Sequence, residues 1–244
     1  MEPAREVLLA LADDEHLMGQ QHAEWIGVAP FLEEDLAFCS IAQDELGHAA
    51  VLYEVLAVDE ELGDADQLAF RRAPQDYRSC HLVELPCPDW SDALVRHWLY
   101  DEAEVLRWDA LAGSSWPAVA AVVDRVQREE AYHRRHAEAL VARLGDGDAG
   151  PRLLDSFRRL VPIADALWEP VAGEQQALAD GVVTAPSAQL QARWRGGVDA
   201  ILGPVDWDAL EHPAQHGRTT RSEYFPALHA RITEVLDLDP TARW

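Results

Sequence analysis

The sequence contains no lysine, since all 20 basic residues among its 244 are arginine. This absence excludes a Schiff-base lysine and the lysine of a phosphate-binding P-loop. Cysteine is scarce as well, and Cys39, Cys80 and Cys87 form no CxxC pair that would indicate a zinc ribbon or a redox motif. We interpret them as reduced thiols of a cytoplasmic protein.

Positive charge is also in short supply, with 20 basic against 44 acidic residues and a formal net charge of −24. Such a surface repels phosphate backbones and anionic headgroups, so neither nucleic-acid nor membrane partners are expected. No apolar run approaches the ~18 residues of a membrane span, and the first residues lack the basic and apolar regions of a signal peptide. We therefore expect a soluble cytoplasmic protein that is long enough to bury a sizeable core.

The sequence does contain apolar residues spaced three, four or seven apart, as on one face of a helix. This period predicts four long helices, over residues 4–26, 31–57, 91–113 and 117–144. Asp89 or Ser91 is the expected cap of the third helix, and Ser115, just before Pro117, is the expected cap of the fourth. Residues 58–88 lack a sustained period and form a long connection.

Short, long and short connections between four helices are typical of an all-α, ferritin-like four-helix bundle with one long crossover. We expect a single domain over residues 1–244, with the bundle core in residues 1–145. Residues 146–244 should contribute further helices that pack on this core, near 151–168, 187–202 and 222–236.

Function is indicated by polar residues that lie on the otherwise apolar face, or stripe, of each predicted helix. Glu45 and His48 lie in phase with the apolar residues of the second helix, and Glu130 and His133 do so on the fourth. Each pair is a Glu-x-x-His motif whose spacing of three puts both side chains on one helix face. One such motif is weak evidence, because Glu and His are common on exposed faces, but two on alternate helices of a bundle indicate a metal site.

A bundle with two such motifs should supply one inward glutamate from each of its other two helices. Glu15 lies 30 residues before Glu45 and falls between Leu11 and Met18 on the apolar stripe of the first helix. Glu102 lies 28 residues before Glu130 and falls between Trp98 and Val105 on the stripe of the third. Antiparallel helices joined by a short turn bring such positions level. For Glu15 and especially Glu102, neighbouring acids leave open an alternative in which the residue is a solvated face residue.

The predicted ligands are Glu15, Glu45, His48, Glu102, Glu130 and His133. Four carboxylates and two imidazoles in a bundle core are costly to bury unless cations neutralise them. Two iron ions, with manganese as the alternative, remove that cost. In this hypothesis Glu45 and Glu130 are the catalytic bridging carboxylates, and dioxygen binds between them.

The acids that precede each motif glutamate, Asp44 and Glu129, are placed to orient the histidine of the opposite helix. The alternative, plain exposed acids, is equally open. His16, His22, His97 and His136 have no matching partner and are interpreted as surface or packing histidines. Of the nine tryptophans, some are candidates for a subunit interface, although core packing is the default: Trp168, Trp194, Trp207 and Trp244.

Several segments resemble the C subunit of the phenylacetyl-CoA epoxidase family, a multicomponent ring-epoxidising monooxygenase. The first are Glu24–Pro30, with the sequence EWIGVAP, followed by Glu34–Ala37 and Ile41–Ala42. Similarity continues over nearly the whole chain, at residues 68–71, 132–133, 143–145, 217–223 and 243–244.

The resemblance implies a ferritin-like fold and a cytosolic complex with a homologous A subunit. In that family the A subunit usually carries the di-iron centre and the CoA-activated substrate, and the C subunit is a structural partner whose ligands have decayed. This sequence departs from that pattern because its ligand set is complete. It is either a C-type subunit that kept its site or a paralogue with a di-iron oxidase activity of its own.

The leading hypothesis is therefore a subunit of a di-iron monooxygenase in phenylacetate catabolism. Its expected partners are an A-like catalytic subunit that holds the CoA thioester, a separate reductase, and dioxygen. A reductase is needed because the sequence has no flavin or nicotinamide fingerprint and no cysteine cluster. The alternatives are a structural subunit without turnover and an independent ferroxidase or peroxide-scavenging bundle.

Overall fold

A computed structural model describes residues 2–60 and 62–239, with the side chains of residues 2 and 3 left out. Within these ranges the chain forms ten α-helices and no strand, which confirms the all-α class. None of these helices combines the length and apolar character that crossing a membrane requires.

Four long helices form the bundle, and they are the four that the apolar period predicts: α1 (Glu2–Ala23), α2 (Leu32–Asp59), α5 (Trp90–Leu111) and α6 (Pro117–Gly145). Helix α1 packs along α2, α5 packs along α6, and α2 also contacts α6. The first helix ends at Ala23 rather than at residue 26, because the chain turns at Gly27, which has a positive φ of 84°. The expected ferritin-like bundle is present.

The long crossover contains short helices that the period could not reveal, α3 (Ala65–Phe70) and α4 (His81–Glu84), with one 3₁₀ turn between them at Pro74–Asp76. The side chain of Asp64 caps α3 by accepting a hydrogen bond from the backbone of Gln67. Elements of one or two turns are shorter than the window over which a helical period is visible.

The helix starts of the second pair test the predicted caps. The side chain of Asp89 accepts from the backbone N–H of Ser91 at 2.9 Å, so Asp89 caps α5. The prediction that Ser115 caps α6 is wrong, because Trp116 occupies that position and makes no side-chain cap bond. Ser115 instead donates its hydroxyl to the carbonyl of Asp180, which ties the start of α6 to a later loop.

The C-terminal helices are α7 (Gly150–Ala164), α8 (Glu174–Ala179), α9 (Ser187–Leu202) and α10 (Phe225–Leu238). Helices α7 and α9 pack on α5, and α8 packs on α1. The predicted helix over 151–168 is α-helical to Ala164, two residues beyond Pro162, and finishes as a 3₁₀ segment, Asp165–Trp168. Helix α8 has no counterpart among the predicted helices, because its six residues carry no detectable period.

The tryptophans considered for a subunit interface belong to the core of the chain where the structure describes them. Trp168 and Trp194 are buried, and Trp207 packs on Trp194 with ring centroids 5.7 Å apart. The indole N–H of Trp194 donates to the carbonyl of Leu99 on α5. Trp244, with the similarity noted at residues 243–244, lies outside the described residues.

Candidate metal centre

Acidic and imidazole side chains from all four bundle helices meet in the middle of the bundle. Two groups have ligand atoms within 4.8 Å of one another, Glu15 with His48 and Glu130, and Asp101 with Glu130 and His133. All five side chains are almost inaccessible to solvent. Because Glu130 belongs to both groups, it is placed to bridge two ions.

Apolar residues enclose this cluster along each helix, at Leu11 and Met18, Ile41 and Leu52, Trp98 and Trp108, and Val126 and Ala137. A charged cluster in such dry surroundings is costly unless every group is compensated. The polar contacts of the cluster therefore show which of its charged groups are compensated within the chain and which are not.

His48 and His133, the two candidate ligand histidines, each point one ring nitrogen into the cluster and the other at a carboxylate of the opposite helix. His48 Nδ1 lies 3.1 Å from Glu130 and 3.6 Å from Glu15, and its Nε2 lies 2.9 Å from Glu129. His133 Nδ1 lies 3.6 Å from Glu130, and its Nε2 lies 3.2 Å from Asp44. Glu129 and Asp44 thus contact the histidines that the sequence argument paired them with. Such carboxylates fix the ring orientation of metal-ligating histidines.

Glu15 is held by a contact that no pattern in the sequence indicates. The indole N–H of Trp108 donates to its Oε1 at 2.7 Å, which leaves Oε2 directed at His48. Oε2 itself has no hydrogen-bond partner.

Several buried atoms of the cluster have no hydrogen-bond partner: Glu15 Oε2, Glu45 Oε1, His48 Nδ1, both oxygens of Asp101, both oxygens of Glu130, and His133 Nδ1. Buried polar atoms in proteins are almost always paired. Oxygen and nitrogen atoms that lie close together in one small volume without forming hydrogen bonds are a donor set for cations, so the residues present fit a metal site.

The pKa values of these groups are strongly shifted. Burial works against a charge on His48, but Glu15 and Glu130 outweigh it and raise the His48 pKa to about 11. Burial likewise disfavours the Glu130 carboxylate, yet His133 and His48 lower its pKa to about 2. Burial raises the pKa values of Glu45 and Asp101 well above the ordinary range. The cluster therefore contains imidazolium–carboxylate pairs and neutral acids, whose protons a metal ion would displace.

On α5 the structure places Asp101, not the predicted Glu102, in the cluster. Glu102 is half-buried and faces Gly197 on α9, and burial together with a hydrogen bond to Glu138 raises its pKa to about 7. The prediction used Val105 to define the inward stripe, but Val105 is only partly buried. The fully buried residues Leu94 and Trp108 lie seven positions on either side of Asp101 and define the true stripe.

Glu45, the other predicted bridging residue, belongs to neither of the two groups. Its Oε2 lies 2.7 Å from Nδ1 of His22, although its carboxyl is close enough to His133 and Asp101 for their charges to act on its pKa. Its Oε1 has no hydrogen-bond partner. One oxygen of Glu45 is therefore held and the other is free.

His22 and His97, which the sequence led us to interpret as packing or surface histidines, are both fully buried beside the cluster. His97 Nδ1 lies 3.1 Å from Asp101. The signal is present in the sequence, because His22 is seven residues after Glu15 and His97 is four residues before Asp101, so each shares a helix face with a site residue. Burial lowers the pKa values of both imidazoles well below the ordinary range, with help from neighbouring cations, so both are neutral.

An all-α bundle whose four long helices surround a carboxylate and imidazole cluster defines the ferritin-like class of metal-site proteins. Comparison with known proteins narrows this class. The chain belongs to the family described as Phenylacetic acid catabolic protein, whose model matches residues 1–244.

Two relatives come from Escherichia coli (strain K12). The C subunit of 1,2-phenylacetyl-CoA epoxidase is 30% identical over 208 residues, which are 84% of this chain and 84% of that protein. The A subunit of the same enzyme is 29% identical over 140 residues, which are 55% of this chain and 44% of that protein. The resemblance noted in the sequence is therefore confirmed at the level of the family.

Proposed function

We propose that this chain is a cytoplasmic subunit of a multicomponent monooxygenase of the phenylacetyl-CoA epoxidase type, and that it binds two iron ions itself. The similarity to both epoxidase subunits supports the first part. The single observation that carries the second part is the set of buried, unpaired ligand atoms on four helices.

In the proposed site, Glu15 and His48 would hold one ion, Asp101 and His133 would hold the other, and Glu130 would be a ligand shared by both. Glu45 is the second bridging candidate through its free Oε1. Carboxylate and imidazole ligands suit iron and also accept manganese. Bound iron supplies the redox chemistry that reduces dioxygen and transfers oxygen to an organic substrate.

The residues of the chain would prepare the site for that chemistry. Glu129 and Asp44 fix the two histidine rings so that Nδ1 of each faces the ions, and Trp108 holds one oxygen of Glu15 so that the other is free. The apolar residues above and below exclude bulk water, which strengthens each electrostatic contact inside the site.

The proposal includes partners. Electrons would come from a separate reductase, because the sequence carries no flavin or nicotinamide fingerprint. The net charge of −24 makes this chain a poor holder of CoA phosphates, so a more basic A-like partner would bind the CoA thioester.

Adjacent residues of α5 provide a matched test of the ligand assignment. We expect Asp101→Asn to weaken binding of one of the two ions about 10-fold or more, because an amide oxygen carries no charge to offset a cation. Glu102→Gln should leave stoichiometry and affinity unchanged, because Glu102 faces α9. Anaerobic ferrous titration of both variants measures this. Loss of binding in the Glu102 variant alone would instead support Glu102 as the ligand.

A second candidate function is a structural subunit without turnover. It is favoured by the alignment with the epoxidase C subunit, which covers 84% of this chain, against 55% for the A subunit. The double variant Glu45→Ala/Glu130→Ala, assayed for epoxidation in a complex reconstituted with reductase and an A-like partner, separates the two functions. A catalytic role predicts loss of activity with the complex still assembled, and unchanged activity would support the structural role.

A further inference from the structure

The carboxylates of Glu45 and Asp101 each have a buried histidine partner outside the six proposed ligands. His22 Nδ1 lies 2.7 Å from Glu45 Oε2, and His97 Nδ1 lies 3.1 Å from Asp101 Oδ2. His22 comes from α1 and holds a residue of α2, whereas His97 and Asp101 share α5. The edge of one imidazole faces the other ring, with centroids 4.8 Å apart.

We propose that His22 and His97 are positioning residues of the metal centre. His22 donates its Nδ1–H to Oε2 of Glu45 and so leaves Oε1 free for the metal, and His97 orients Asp101 through the close contact of its Nδ1 with Oδ2. This assignment rests on the proposed function, since it concerns how the metal ligands are held. It makes the arrangement reciprocal, because Glu129 and Asp44 hold the ligand histidines while His22 and His97 hold ligand carboxylates.

The surroundings of His22 favour the tautomer that donates from Nδ1. Its Nε2 is buried and has no hydrogen-bond partner, so a hydrogen placed there would be left unsatisfied. A hydrogen on Nδ1 instead completes a short bond to Glu45. The remaining faces of the ring pack on Phe38 and His97, which prevents the imidazole from turning away.

His97 is held from its other side by a line of polar side chains that reaches the surface. Its Nε2 lies 3.4 Å from Nδ1 of His136 on α6, and His136 Nε2 lies 3.0 Å from Glu34 on α2. Both His136 and Glu34 are largely buried at the edge of the bundle. His97 therefore connects α2 and α6 to the carboxylate of Asp101, because its Nε2 is hydrogen-bonded to His136 while its Nδ1 contacts Asp101 Oδ2.

A positioning role predicts that the location of the donor nitrogen matters, and not merely the presence of a polar side chain. Asparagine carries its amide nitrogen on Cγ, as histidine carries Nδ1, whereas the amide of glutamine lies one carbon further out, near the position of Nε2. His97→Asn and His22→Asn can therefore retain the donor, and His97→Gln and His22→Gln displace it.

Cobalt(II) titration of the metal-free protein tests this prediction, with visible absorbance reporting both affinity and ligand geometry. We expect the glutamine variants to weaken one cobalt site about 10- to 100-fold and to change its absorption bands. The asparagine variants should remain within a few-fold of the wild type. His16→Gln is the matched control, since His16 is an equally buried histidine of α1 that packs on Tyr53 and Phe70 away from the cluster.

The assignment is overturned if the glutamine variants bind cobalt as the wild type does, or if the asparagine and glutamine variants are equally impaired, because a space-filling role predicts that result. Helix content and the unfolding midpoint of each metal-free variant establish that it is folded. If the His97 glutamine variant does not fold, the His22 pair decides independently. Absence of cobalt binding in the wild type would instead overturn the proposed function.

Discussion

Replacing Glu130 with alanine is expected to reduce bound ferrous iron from near two per chain to near zero. Glu130 lies 3.1 Å from Nδ1 of His48 and 3.6 Å from Nδ1 of His133, and it belongs to both groups of potential ligands. Its removal takes a charged ligand from both ions at once. Without Glu130, each of the two groups would keep one carboxylate and one imidazole. Two ligands per ion are too few for tight binding at micromolar iron.

Glu138→Ala is the matched control, because Glu138 lies on the same helix, has a side chain that is more than a third exposed, and contacts Arg134 rather than the cluster. It should bind iron as the wild type does. The metal-free Glu130 variant should remain folded, since the apolar layers on both sides of the cluster are unchanged. Retention of both irons by this folded variant would show that Glu130 is not the bridging ligand.

The second large effect is predicted at a buried ion network that joins α1 to the segment before α10. Asp14 on α1 accepts from Arg218 at 2.6 Å and from the backbone of Cys80 at 2.7 Å, and it pairs with Arg107 at 2.9 Å. Arg218 is 204 positions away in sequence and is itself buried. This network holds the segment before α10 against the first bundle helix.

Asp14→Asn should lower the free energy of unfolding by about 3–5 kcal/mol, because it leaves buried arginine charge without its counter-ion. Urea denaturation of the metal-free proteins measures this difference. Asp155→Asn is the control, since its partner Arg158 and Asp155 itself are both exposed, and such pairs contribute little. A loss at Asp14 no larger than at Asp155 would contradict the account of the network.

The same network predicts how the stability difference depends on pH. Burial raises the pKa of Asp14, but the charges of Arg218 and Arg107 and the hydrogen bonds outweigh it, so the pKa is lowered. Its contribution is fully present above the unfolded carboxyl pKa of about 3.9 and is lost as the pH falls through the lower folded value. The wild type and the Asp14 variant should therefore converge in stability in strong acid.

The long helices could be predicted from sequence because their apolar periods extend over several turns. Helices α3, α4 and α8 could not, since each is at most six residues long. The Ser115 cap failed for a different reason: Ser115 bonds to a loop that is distant in sequence, and a local pattern carries no information about that partner.

The site was predictable to the extent that its residues repeat a motif. Glu45 and His48, and Glu130 and His133, could be identified because two motifs on alternate helices imply each other. On α5 a single acid had to be chosen from three within four residues, Asp101, Glu102 and Glu104, and the stripe through Val105 selected Glu102, which lies outside both groups of potential ligands. Burial sets Glu102 apart but not Glu104, which is as buried as Asp101. The contacts resolve the choice, because Asp101 lies with Glu130 and His133 whereas Glu104 pairs with Arg107.

The positioning contacts were partly predictable. Asp44 and Glu129 precede motif residues and could be proposed from that placement. His22 and His97 share a helix face with site residues, but that spacing alone does not separate them from packing histidines. Nothing in the sequence marks Trp108, because an indole on an apolar face is more often part of the packing. What distinguishes them is the specific atom that each presents to a site carboxylate.

The central claim is that this chain binds its own pair of metal ions, and anaerobic titration of the metal-free wild-type protein with ferrous iron tests it most directly. The account predicts saturation near two irons per chain, with both lost in the Glu130→Ala variant. Saturation near zero in protein that is folded by its helix content would contradict the claim and leave a structural role as the function of this chain.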